Sequence, residues 1–209
     1  MEDHKESRNQ YYNKLKSQLQ SNLKSESRTS QRIQALTYHR NRFVENYLHN
    51  TSRLIVNRLK QQGIGTLVIG KNEGWKQQVN MGKRNNQKFV NIPHAILIDQ
   101  LTYKCELAGI KVVKIEESYT SKTSAIDLEP PCKQSKYTGK RVKRGLFKSN
   151  HGRVINADIN GSIQIIRKYL PEAFTAEGVV SCAVQPIRVN PVWKTEPIGF
   201  YKFSLHGLH

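Results

Sequence analysis

Two short stretches decide the fold of this chain: Gly65-Thr66-Leu67-Val68-Ile69-Gly70, and Ile110-Lys111-Val112-Val113-Lys114-Ile115-Glu116-Glu117. The first is a β-branched run bounded by glycines, as expected of a buried strand. The second alternates along Ile110 to Ile115 and ends in two acids, so it reads as another strand. Between them, residues from about Phe89 to Ala108 set Ile92, Ile96, Leu97, Leu101 and Leu107 on one apolar side of a helix. Pro93 falls in its first turn and Gly109 stops it. Strand, helix, strand in that order is a βαβ unit, which implies a parallel pair with the crossover helix on one face. The fold class is α/β.

Upstream, Tyr12, Leu15, Leu19 and Leu23 recur every three or four residues between 10 and 26, the period of an amphipathic helix. After the break at Ser27 to Ser30, a longer stripe runs from Ile33 through Leu36, Phe43, Val44, Tyr47, Leu48, Leu54 and Ile55 to Leu59, and Gly63 ends it. The two segments predict a helical hairpin over residues 1–63. Its outer face is basic, with 12 Lys or Arg against 5 Asp or Glu in residues 1–60.

Downstream, residues 118–150 read as loop. From Cys132 to Asn150 there are seven Lys or Arg and no acid, with Tyr137 and Phe147 among them. Cations interleaved with aromatic rings hold phosphates and stack bases, and the plain alternative is a basic linker. Arg153-Val154-Ile155 reads as a short strand. Asn156-Ala157-Asp158 leads into a helix with Ile159, Ile163, Ile166 and Leu170 inward. Beyond Pro171 periodicity is lost, and residues 173–209 read as an irregular tail in which Val189, Val192, Trp193, Phe200, Tyr201 and Phe203 form a short strand or drape over the core.

Composition narrows the function. Against 16 Asp plus Glu stand 34 Lys plus Arg in 209 residues, a net charge of +18. So positive a surface repels itself unless a polyanion neutralises it, which points to nucleic acid. No apolar run approaches the ~18 residues that span a bilayer, and the polar first 30 residues contain no signal-peptide block. Cys105, Cys132 and Cys182 are odd in number and widely spaced, so neither a disulfide scaffold nor a closed zinc site is expected. These features predict a soluble, cytoplasmic protein with reduced thiols and no membrane partner.

Acids at strand ends beside a basic surface suit metal-dependent phosphodiester hydrolysis, where carboxylates hold two Mg²⁺ or Mn²⁺ ions that activate water and stabilise the leaving oxygen. Glu116 or Glu117 ends one strand, and Asp158 stands at a strand-to-helix junction. If Val113 and Ile115 face the core, alternation puts Glu117 on the same side and Glu116 on the other. Asp also caps helices well, so a purely structural role for Asp158 is the plain alternative.

The stretch from Gly65 to Leu170 resembles the C-terminal half of the TnpB (OrfB) family of transposon-encoded proteins. The matching residues include Gly65-Thr66-Leu67-Val68-Ile69-Gly70-Lys71-Asn72, Gly74-Trp75-Lys76-Gln77, Met81-Gly82-Lys83 and Ile92-Pro93-His94. They continue through Leu101-Thr102-Tyr103-Lys104, Glu116-Glu117-Ser118-Tyr119-Thr120-Ser121-Lys122 and Gly139-Lys140-Arg141-Val142-Lys143-Arg144-Gly145-Leu146, to Ile155-Asn156-Ala157-Asp158-Ile159-Asn160-Gly161-Ser162. The helical hairpin fits as well.

The resemblance implies an RNA-guided DNA nuclease with a partial RuvC or RNase H-like fold and a mixed sheet. Residues 64–172 would form the RuvC-like and target nucleic-acid-binding region, preceded by the hairpin. The family's last catalytic Asp matches Asp158. Its middle acid usually follows the Leu-Val-Ile strand, where this chain has Gly70. A branch of the family uses an acid in the Glu-Glu-Ser-Tyr-Thr-Ser-Lys segment instead, which makes Glu117 and Glu116 the candidates, with Glu117 and Asp158 as metal ligands. Lys71, Trp75, Lys76, Lys83, Arg84, Lys122, Lys140, Arg141, Lys143 and Arg144 are the candidate contacts to DNA and guide RNA.

Two departures from the family pattern matter. The zinc ribbon, normally two CxxC pairs before the last Asp, is absent: Ser124 stands where a first Cys would be, and Cys132 is alone. No zinc is therefore expected. The first catalytic Asp belongs to a strand upstream of the hairpin, and Asp3 has no strand around it. That predicts a chain truncated relative to the family, inactive alone unless a separate polypeptide supplies the acid, with an exposed sheet edge where the first strands would pair. The alternatives are a nuclease-dead remnant that grips DNA or RNA, and an unrelated basic RNA-binding protein. The family's setting is the prokaryotic cytoplasm, at the nucleoid.

Overall fold

The computed structural model describes residues 8–23, 27–71, 93–175 and 177–179. They fall into two compact units divided between Leu54 and Ile55. In the first, helix α1 (Arg8–Ser21) lies beside the N-terminal part of α2 (Gln31–Gln61). The Tyr12 hydroxyl meets Thr37 Oγ1 at 3.0 Å, and Arg40 lies over the Tyr12 ring. Ser30 starts α2, its hydroxyl accepting from Ile33 N at 3.3 Å. Ile33 and Leu48 are buried, whereas Phe43 and Tyr47 are exposed, so part of the expected apolar stripe faces outward.

The second unit opens on the last turns of α2. Gly63 ends that helix in the left-handed region, with φ 65°. There Ile64 N donates to Leu59 O at 3.0 Å and Gly63 N to Lys60 O at 3.1 Å, which satisfies carbonyls the helix end would leave open. Strand β1 (Thr66–Gly70), helix α3 (His94–Leu107) and strand β2 (Lys111–Ile115) then form the βαβ unit. The strands are parallel, with Val68 opposite Val113 and Gly70 opposite Ile115. Gly109 (φ 72°) closes α3 as Gly63 closes α2, with Ile110 N donating to Cys105 O at 2.8 Å. Val56, Leu101, Cys105 and Ile110 are the buried centre, flanked by Leu67, Ile69, Leu97 and Val112.

α3 differs from its sequence reading. Pro93 is the residue that precedes the helix rather than part of its first turn, and residues 89–92 lie outside the described ones. Ile96 and Leu107 are exposed, Leu107 to 84%. The buried face is Leu97, Leu101 and Cys105 with Gln100, because a stripe advancing by fours meets the strands while Ile96 and Leu107 sit on its flank.

Residues 118–150 hold more than loop. Strands β3 (Lys140–Lys143) and β4 (Leu146–Lys148) form a hairpin, and β5 (Val154–Asn156) completes a three-stranded antiparallel sheet. Two signals tie these strands together. Gly145 (φ 80°) makes the β3–β4 turn, and Phe147, only 1% exposed, anchors β4. A Cβ on Gly139 would lie 2.5 Å from the Phe147 ring, so only glycine lets the chain pass there. Parallel and antiparallel pairing thus occur in two separate sheets.

Helix α4 (Ala157–Tyr169) follows β5 directly and packs against β1, β2, β4 and β5. Ile163 joins Ala125, Ile126, Phe147, Ile155, Ala157 and Val179 in the second buried core, with Ile159 packed on its edge. Leu170, expected inward, lies past the helix end and is 53% exposed, because the chain has already turned toward Pro171. Most of the C-terminal tail, residues 180–209, lies outside the described residues. Among the described residues no helix is long and apolar enough to cross a membrane.

Candidate acid site and basic hairpin

Glu116 and Glu117 are neighbours in sequence with different surroundings. β2 ends at Ile115, and the chain turns immediately. Lys168, in the last turn of α4, reaches this turn and donates to Glu116 O at 2.8 Å, Glu116 Oε2 at 2.8 Å and Ser118 O at 3.1 Å. Ser118 N donates to Glu116 Oε1 at 2.9 Å. The hydrogen bond from Lys168, followed by that from the Ser118 hydroxyl, holds the Glu116 carboxyl below the ordinary carboxylate range. Glu116 is therefore committed to pinning the turn.

Glu117 lies on the other side of that turn, over Gly70. A Cβ on Gly70 would sit 2.6 Å from Glu117 Oε2, 3.1 Å from Glu117 Cβ and 2.8 Å from Ile165 Cδ1 of α4. The carboxylate thus occupies the space at the end of β1 where a side chain at position 70 would begin. Tyr119, two residues on, is held at φ 64°, a conformation that costs a residue with a Cβ on the order of 1 kcal/mol or more. Its carbonyl accepts from Lys122 N and Thr123 N, at 3.0 and 3.1 Å, which offsets that cost, while Thr120 Oγ1 donates back to Glu117 O at 2.8 Å.

Asp158 is exposed in the first turn of α4 and is not the cap. Asn156 is the cap: its backbone is extended and its Oδ1 accepts from Asp158 N at 2.8 Å and Ile159 N at 3.1 Å. Asp158 lies in the first turn, at the positive end of the helix dipole. Ile165, which touches the Gly70–Glu117 contact, lies seven residues along the same helical face, about 10 Å away at 1.5 Å per residue. Asp158 and the Ile165 side chain beside Glu117 therefore lie on one side of α4, about 10 Å apart along its axis. Among the described residues, no three His, Cys, Asp or Glu side chains gather to hold a metal ion. The two acids fit a hard, oxygen-loving cation by type, and fall short of a complete ligand set by number.

The basic candidates also separate. Lys140, Arg141, Lys143 and Arg144 are all exposed on and just after β3, a strand exposed on both faces and bulged between Arg141 and Lys143. Lys71 is exposed at the end of β1, next to Gly70. Lys122 is exposed, its Nζ 5.9 Å from the Tyr119 ring centre. Trp75, Lys76, Lys83 and Arg84 lie outside the described residues. Lys168 escaped the sequence reading. A lysine in a helix's last turn is explained by the helix dipole, and nothing local reveals a target 52 positions away.

Two family models match the chain. The OrfB IS605 model, described as "Probable transposase", covers residues 3–76, and "Cas12f1-like, TNB domain" covers residues 94–165. No curated protein matches. Among solved structures, a chain of the "Cas12f1-sgRNA-target DNA complex" is 17% identical, with a TM-score of 0.50 over 77% of this chain. At that identity the likeness shows the fold, a partial RuvC-like α/β arrangement. The present chain spans 42% of the length of that relative.

Proposed function

We propose that the chain, which family models match over residues 3–76 and 94–165, is a TnpB (OrfB) family protein that acts on DNA as part of an RNA-guided, metal-dependent endonuclease. Glu117 and Asp158 supply two of its carboxylates, and the β3–β4 hairpin grips the nucleic acid. The observation that carries this reading is the seat of Glu117. Its carboxylate stands over Gly70, at the strand end where the family's acid is expected. Glu116, spent on Lys168, is a positioning group instead. Mg²⁺ or Mn²⁺, held by these acids, would activate water and stabilise the leaving oxygen. Lys140, Arg141, Lys143 and Arg144 neutralise phosphates, with Lys71 and Lys122 flanking the acid end. The partners proposed are DNA, a guide RNA, and a separate polypeptide that brings a further carboxylate. The proposed compartment is the prokaryotic cytoplasm.

The test is plasmid cleavage in Mg²⁺ with guide RNA, run with and without a polypeptide carrying the acid-bearing strand. Salt-sensitive binding by the chain alone is expected, with cleavage only in the reconstituted mixture and its loss in Glu117→Gln and Asp158→Asn. Cleavage that survives both substitutions overturns the acid assignment. The exposed cations Lys140, Arg141, Lys143 and Arg144 favour a second reading, a binding protein that does not cut. Salt-sensitive binding with no cleavage in any mixture would establish it.

A further inference from the structure

The family resemblance implies a zinc ribbon between Tyr119 and Asp158, and the residues present do not fit one. Ser124, in the place of a first cysteine, is fully buried, and its hydroxyl accepts from Asp127 N at 3.3 Å. Cys132 is exposed, with its sulfur 3.3 Å from Gln134 Nε2, and Cys105 belongs to the other core. A structural zinc needs four thiolate or imidazole ligands, and this segment offers two, the Cys132 thiol and the His151 imidazole.

We infer that the carboxylate of Glu129 closes this segment in place of a metal ion. Glu129 Oε2 accepts from Ser124 N at 2.7 Å, and its Oε1 accepts from Thr138 N at 3.0 Å. One side chain thereby joins the backbone before and after the 129–138 loop, as a ribbon metal does, and sets the root of the basic hairpin beside Gly139.

Helix α4 supplies the rest. Asn160, Gln164 and Arg167, spaced i, i+4 and i+7, form a stripe of buried polar residues on one face. Asn160 accepts from Ala125 N at 2.9 Å and donates to Thr123 O at 2.9 Å. Gln164 donates to Thr123 Oγ1 at 3.0 Å and Glu129 O at 2.9 Å. Arg167 donates to Glu129 O, Leu128 O and Gln164 Oε1, each at 2.9 Å. A buried polar stripe is destabilising unless it is matched, and here it matches the open backbone groups of an irregular loop. Among the described buried side-chain atoms only Asp127 Oδ1 and Arg167 Nε lack a partner. The hydrogen-bonded network does the work of the missing ligands, so the hairpin is a metal-independent module.

The test combines zinc analysis of the purified chain, thermal melts with and without a zinc chelator, and Glu129 variants. Substoichiometric zinc and a chelator-insensitive melting temperature are expected. Glu129→Ala should lower that temperature by about 5 to 10 °C, since it strands the buried Ser124 amide and the part-buried Thr138 amide, and Glu129→Gln should lower it by less. In the wild-type chain the Ser124 and Thr138 amides should resist hydrogen exchange equally well in chelator. One zinc per chain with a chelator-induced fall in melting temperature overturns the inference. So does a Glu129→Ala variant that melts like the parent, or unprotected Ser124 and Thr138 amides. Should Glu129→Ala fail to fold, the zinc content and exchange of the wild-type chain decide the matter.

Discussion

Glu117 fills the space a side chain on Gly70 would need: a Cβ there would fall 2.6 Å from Glu117 Oε2, at the ends of two parallel strands. The atoms in the way are mostly the far ends of flexible side chains, Glu117 Oε2 and Ile165 Cδ1. Gly70→Ala should therefore cost little stability, about 1 kcal/mol, at the low end of overpacking effects, while displacing the carboxylate. Denaturant unfolding paired with cleavage in the reconstituted mixture checks this. The expected result is a nearly unchanged midpoint with activity reduced toward that of Glu117→Gln.

The ion pair of Lys168 with Glu116 has a defined pH signature. The folded-state pKa of Glu116 is depressed, chiefly by the hydrogen bond from Lys168. Its contribution to stability is thus present above the ordinary carboxylate pKa, and is lost as pH falls through the depressed folded value. In Lys168→Met the titration of the Glu116 carboxyl should move up toward the ordinary range. Carboxyl carbon NMR measures it directly, and an unmoved titration would refute the clamp.

Binding through the basic hairpin should depend steeply on salt. Each phosphate contact to duplex DNA contributes about 0.9 to the slope of log K against log salt. Replacing Lys140, Arg141 and Lys143 together with Ala should flatten that slope by about 3 if each cation meets one phosphate. Binding measured across a salt series gives the slope. The melting temperature should scarcely change, because all three side chains are exposed.

Asn160 is completely buried and serves two backbone groups on the loop before Asp127. Asn160→Ala leaves Ala125 N and Thr123 O without partners, at a cost of about 2 to 4 kcal/mol by the usual penalty for two stranded buried groups. Urea unfolding should show it as a lower midpoint. Asn156→Ala, which removes only the α4 cap, should cost about 1 kcal/mol.

Much of the architecture is legible from local chemistry. Gly63 and Gly109 end their helices where the left-handed conformation is needed, and the glycine-bounded Leu67-Val68-Ile69 run gives a parallel strand. Asp158 falls where the strand-to-helix step places it. These signals survive because caps, turns and periodicity act over a few residues. The strands at Lys140 and Leu146 stayed hidden among cations, since β3 is exposed on both faces and shows no apolar alternation. The buried stripe of Asn160, Gln164 and Arg167 looks like a solvent face until the loop it serves is in place. The sequence by itself determined the βαβ unit, the helical hairpin and the candidate acids at the ends of their strands. Only tertiary structure gave Glu116 and Glu117 different surroundings, because these depend on which atoms of β1 and α4 stand beside the turn: Gly70 leaves room for one carboxylate, and Lys168 pairs with the other.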